Sequence, residues 1–137
     1  MNFGLIGLLS VFGLAMGAAT LMGAIPRGFE GPLWLVIGIL CAIWIARQLS
    51  GRLFLHGFLV GALNGALSPS IQVLFFPLYL KNNPYAAEAF RQLPGGFSPR
   101  LFVLVSAPFI AILSGLVVGL LAWVAGKAMR RKVVAAG

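Results

Sequence analysis

One stretch, Arg52 to Pro84, is the longest apolar run in the chain and the only one with polar groups set into its middle. It contains Gly57-x-x-x-Gly61-x-x-x-Gly65, interleaved with Asn64, Ser68-Pro69-Ser70 and Gln72. A run of this length can cross a hydrocarbon core of ~30 Å. In lipid a single segment must satisfy its own backbone, and the helix does so. The run is therefore expected to be a membrane-spanning helix over about 53–80. That is more than a straight crossing needs, so tilt, a kink or a projecting end follows. Pro69 removes one backbone bond and crowds the carbonyl of Gly65, and Pro77 distorts the last turn.

Three further apolar runs predict helices over about 2–25, 32–49 and 99–126. Only 9% of residues are charged and 61% are apolar, against roughly 25% charged in a soluble domain. Such a chain cannot cover a water-facing surface, so the expected fold class is all-α: a multi-pass transmembrane bundle of four helices. The first run lacks a basic leading region and is too long for a signal-peptide core, so it reads as a retained span. Gly13 and Gly17, continued by Ser10, Thr20 and Ala24, give it a small-residue face. Trp34 and Trp44 stand near opposite ends of the second run, where amphipathic rings favour the interface. Pro26 to Pro32 reads as a turn. Asn83 and Pro84 predict the capped start of a short interfacial helix over about 84–93, with Tyr85, Phe90 and Leu93 dipping inward and Glu88 and Arg91 wet. Ser98 and Pro99 open the last helix, which holds Pro108 and Gly115-x-x-x-Gly119. Residues 1–132 form one four-helix domain in this reading, and 133–137 a disordered tail.

The chain carries ten Lys and Arg against two acids, a formal charge of +8. The basic residues sit at the ends of apolar runs, which points to topology and contact with a bilayer of anionic headgroups, and not to nucleic acid. With four spans both termini share a side. Arg47, Arg52, Lys127, Arg130, Arg131 and Lys132 fall there, while Arg27, Lys81, Arg91 and Arg100 lie opposite with Glu30 and Glu88. This bias places both termini in the cytoplasm. Lys127, Arg130, Arg131 and Lys132 form a basic end suited to lipid headgroups.

At about 100° per residue, Gly57, Gly61, Asn64, Gly65, Ser68 and Gln72 share a stripe about 100° wide on the third helix. Gly allows close helix approach, and amides hydrogen-bond between helices, so the stripe is expected to face protein. Its simplest use is packing, within the chain or between copies; its functional use is a polar path for a small solute or ion. His56 lies off the stripe and reads as an interfacial histidine near the cytoplasmic end. Chemistry beyond this is sparse. There is no Asp, and Glu30 and Glu88 both fall in loops, so no span carries the carboxylate that proton-coupled transport usually needs. No catalytic triad, no metal-ligating cluster and no cofactor-binding loop is present in the pattern, and an enzyme is not expected.

From Arg52 to Lys132 the layout resembles a family of uncharacterised four-helix bacterial membrane proteins, a domain of unknown function. The likeness rests on the Gly57 to Gly65 helix, its aromatic end Phe75-Phe76-Pro77-Leu78-Tyr79 and the Asn83-Pro84-Tyr85 step. The Ser98-Pro99 start of the last helix, with Gly115, Gly119 and a basic end, completes it. The resemblance implies a multi-pass inner-membrane protein and brings no activity or site residue. The expected role is a non-enzymatic packing or interaction component, as a homo-oligomer or with a membrane-protein partner. A small oligomeric channel or transporter, and a holin-like lesion former, are the alternatives.

Overall fold

The structure, a computed structural model, describes residues 1–135, with side chains described through Arg130. The described residues form six helices and no strand: α1 (Phe3–Leu21), α2 (Glu30–Gln48), α3 (Leu53–Leu74), α4 (Phe76–Asn82), α5 (Pro84–Arg91) and α6 (Pro99–Ala135). Four of them, α1, α2, α3 and α6, are long and apolar enough to cross a membrane.

Three helix ends differ from the sequence expectation by more than two residues: those of α1 and α3, which stop early, and that of α6, which runs past 126 to Ala135. The first helix stops at Leu21 because Gly23 adopts a left-handed φ of +67°. The amides of Gly23 and Ala24 then return to the carbonyls of Thr20 and Ala19, a Schellman ending that only a residue without Cβ enters at no cost. The third run is not one helix over 53–80. It breaks at Phe75, whose φ of −110° and ψ of 39° are not helical. Pro77 has no N–H to give the carbonyl of Val73, so the ladder cannot continue, and α4 restarts with Pro77 in its first turn, where no donor is needed. By contrast α3 runs through Pro69 and α6 through Pro108. The tail expected at 133–137 is helical to Ala135, and the rest of it lies outside the described residues.

The spans pack in the order α1, α3, α6, α2, with α3 and α6 making the most extensive contact. Gly57 faces Val118, and Gly65 faces Ala111, so α3 and α6 are antiparallel. Asn2 meets His56, and Gly17 meets Ser68, so α1 and α3 run the same way. Both ends of the helical chain therefore sit at one end of the bundle. Leu9, Cys41, Ile45, Val60, Val118 and Ala122 form the main buried cluster. A smaller one at the far end gathers Phe76, Tyr79, Ala86 and Val103, with Phe90 on its edge. The Phe90 ring lies 5.9 Å from that of Phe76 and 6.4 Å from that of Phe102, while Glu88 and Arg91 pair outward at 3.0 Å. Of the inward residues expected of α5, Phe90 packs on this cluster, while Tyr85 is exposed and Leu93 lies beyond the helix end at Arg91.

Large apolar side chains cover the outside, among them Leu35, Ile39, Leu104, Phe109, Leu113 and Val124. Water would strip such a surface of its advantage, whereas lipid tails are as apolar as the side chains themselves. The segment Pro99–Arg130 has 32 residues, a rise of about 48 Å. It therefore extends beyond a hydrocarbon core of ~30 Å. At its end Lys127 sits 3.8 Å from the Trp123 ring, and Arg130 donates to the carbonyl of Ser50 in the α2–α3 turn. The side chains of Arg131 and Lys132 lie outside the described residues.

The α3–α6 contact gives a direct test. A Cβ on Gly61 would press on the Ser114 carbonyl, with the Gly115 Cα at 2.9 Å, and nothing there is a movable side-chain tip. Gly61→Leu should lower the thermal midpoint of the detergent-solubilised protein, at a cost of about 1–3 kcal/mol or more. Gly7 has no atom within 4 Å of the equivalent position, so Gly7→Ala should leave the midpoint unchanged or raise it.

Candidate functional site

The stripe on α3 resolves into two adjacent contact lines. Gly57, Gly61 and Gly65 lie against α6, and Asn64 and Ser68 lie against α1. The α6 side is a mesh of two small-residue motifs. The main chain of Phe58 and Phe54 approaches Gly115 and Gly119, where an added Cβ would stand 2.8 and 3.0 Å from their respective carbonyl oxygens. Only glycine lets two backbones come this close.

The α1 side is held by Asn64, which is 3% exposed. Its Oδ1 accepts from the Gly13 amide at 2.8 Å, and its Nδ2 donates to the Leu9 carbonyl at 3.3 Å. Gly13 and Leu9 are the i and i−4 partners of an α-helical bond. One side-chain amide thus serves both members of a rung in the neighbouring helix. Gly13 makes this possible, since a Cβ there would stand 2.7 Å from the Asn64 Cα. Ser68 is buried one turn on, with its backbone against Gly17. The two glycines of α1 therefore receive the two polar residues of α3.

Gln72 departs from this pattern. It is half-buried and makes no side-chain hydrogen bond among the described residues. With Glu30, Trp34, Ser68 and Ser114 it lines a cleft of about 250 Å³ between α2, α3 and α6. Ser68 and Gln72 thus both border this cleft, whereas the side-chain amide of Asn64 is taken up by α1.

Sequence reasoning missed the polar contacts at both ends of α1. His56, near the start of α3, is buried against α1 and 4% exposed. Its Nε2 accepts from the Asn2 amide at 3.1 Å, which leaves Nδ1 to donate to the Arg52 carbonyl at 2.9 Å. At the other end, Asn83 occupies the position before α5 but makes no side-chain cap. Its Nδ2 turns inward to the carbonyls of Thr20 at 2.8 Å and Tyr79 at 2.9 Å, while Asn82 donates to Leu21 at 3.0 Å. The last carbonyls of a helix have no partner within it, and here two amides supply one. The signal was present as two consecutive Asn beside an apolar run, but nothing local said that α1 would end against them.

Beside this junction, Tyr79 is buried, and burial together with the nearby Tyr85 and Glu30 pushes its phenol from the ordinary 10.0 up to about 12. Among the described residues no group of His, Cys, Asp and Glu could hold a metal ion. No buried side-chain nitrogen or oxygen among them is left without a partner. Comparison with known protein families, curated proteins and solved structures finds no match for this chain.

Asn64 and Tyr79 each give expected outcomes. Asn64→Leu should destabilise the bundle by about 1–3 kcal/mol and change hydrogen exchange at the Gly13 amide. Asn64→Asp should be worse than Asn64→Ala, since it buries a charge and aims it at the Leu9 carbonyl. For Tyr79 the folded state holds its proton more tightly than the unfolded state. That contribution is complete below pH ~10 and is lost as pH rises through ~12. A phenolate titration by ultraviolet absorbance, paired with thermal midpoints over that window, should show one late-titrating tyrosine and falling stability; Tyr79→Phe should remove that component of both.

Proposed function

We propose that this chain is a non-enzymatic integral membrane protein of the bacterial inner membrane, with both termini in the cytoplasm, acting as a packing or interaction component. One observation carries the reading: the side-chain amide of Asn64, at the centre of the bundle, is spent on α1. Both heteroatoms of the Asn64 amide are taken by the α1 backbone. A conducting path needs polar groups that remain available to a passing solute. The glycine face of α3 is likewise filled by α6 within the same chain. Association with a second copy or another membrane protein therefore falls to the apolar outer faces of α2 and α6, and lipid headgroups to the basic end carrying Lys127 and Arg130. The excess of basic residues at the end where α1 begins and α6 finishes supports the cytoplasmic placement of the termini.

Solute flux in proteoliposomes tests this. The wild-type protein should give no flux above protein-free vesicles, and Asn64→Leu and Gln72→Leu should leave that unchanged. Flux in the wild type that either substitution abolishes would overturn the reading in favour of a channel or transporter. Induced expression should leave cells intact; lysis would point to a lesion former instead.

A further inference from the structure

The bundle holds two clefts that share wall residues. The first is the cleft at Gln72, with the carboxylate of Glu30 on its wall and the polar groups of Ser68 and Ser114 nearby. The second, about 260 Å³, lies between α2 and α6 with α3 at its floor; Ile37, Leu113, Val117 and Leu121 line it together with Gly61 and Asn64. Trp34 and Ser114 belong to both walls. Taken together, the first cleft is polar and acidic, the second mainly apolar, and Trp34 stands on the wall of both.

Charge narrows what fits there. The sequence has only two carboxylate side chains, Glu30 and Glu88. Glu88 is exposed and paired with Arg91 at 3.0 Å. Glu30 makes no ion pair among the described residues, although it is half-buried in a chain of net charge +8. Gln72 lines the same cleft, and its amide makes no side-chain hydrogen bond among the described residues. An unpaired carboxylate bordering a low-dielectric cleft attracts a cation more strongly than one in water, and an indole adds cation–π attraction. A bare metal ion is a poor match, since one carboxylate does not make a ligand set for it. The apolar extension calls for a hydrocarbon tail.

We propose that this composite cleft is a binding site for an amphipathic ammonium compound, with its cationic head at Glu30, Trp34 and Gln72 and its hydrocarbon tail between α2 and α6. The same chemistry is available from a free alkylamine or from the ammonium headgroup of a membrane lipid. The proposal adds a ligand to the bundle; Asn64 borders the tail cleft, but its amide is already taken by the α1 backbone.

Hexyltrimethylammonium is a suitable probe, titrated against the full chain in nanodiscs of phosphatidylglycerol and read by tryptophan emission. Saturable binding is expected. Glu30→Gln should weaken it about tenfold or more by removing the charge partner, and Trp34→Phe should remove most of the signal. Glu88→Gln should bind like the wild type, and its unchanged thermal midpoint beside that of Glu30→Gln would exclude unfolding as the cause. Nanodiscs of phosphatidylethanolamine separate the sources: probe affinity that falls there identifies the lipid headgroup as occupant, and unchanged affinity identifies a free amine. Equal affinity in Glu30→Gln, or equally effective competition by neutral hexanol, would overturn the proposal.

Discussion

The bundle depends on one side chain that bonds to the backbone of a neighbouring helix. Asn64 accepts from Gly13 and donates to Leu9, an i, i−4 pair within the continuous α1. In lipid an amide has few alternatives to such a partner, because no water is present to take its place. The interaction fixes α1 to α3 in rotation as well as in height, since two distinct groups must be met at once. It also sets the glycine at 13, where any side chain would occupy the space the amide needs.

Around that point α1 is secured at three levels by the same means. His56 takes the Asn2 amide at its start, Asn64 serves its middle, and Asn82 and Asn83 take its last carbonyls. All are side-chain contacts to main chain, so they act on the position of the α1 backbone and tolerate variation in its apolar side chains. The α3–α6 contact works differently: it has no side-chain hydrogen bond among the described residues and relies on Gly57, Gly61 and Gly65 meeting Gly115 and Gly119. One face of α3 is therefore held by directional bonds and the adjacent face by close approach. The remaining span, α2, packs chiefly on α6, and the space it leaves beside α3 is the cleft with Glu30 at its mouth.

The local physics of breaks explains where the helix expectations moved. Pro69 and Pro77 stand in one apolar run, yet only the second ends the helix. Near Pro69 the chain is buried between neighbours that hold it in place, and membrane helices accept a proline where packing compensates for the lost bond. At Pro77 the chain is leaving the bundle, and Phe75 turns it toward α4, where the missing donor costs nothing in the first turn.

The number of spans, their helical nature, the shared side of the termini and the close-packing face of α3 all follow from hydropathy, charge and 3.6-residue periodicity, because lipid imposes those rules on each segment separately. Tertiary structure decided which neighbour each part of that face meets. Gly65 and Asn64 are consecutive and share the stripe, yet one contacts α6 and the other α1. It also turned Asn83 from a cap into a tie and buried His56 against α1. Glu30, a loop residue by sequence, became the first residue of α2 beside a cleft shared with Gln72. Periodicity gives the direction a side chain leaves its own helix, whereas its partner depends on how four helices settle against one another, and that is a property of the whole bundle.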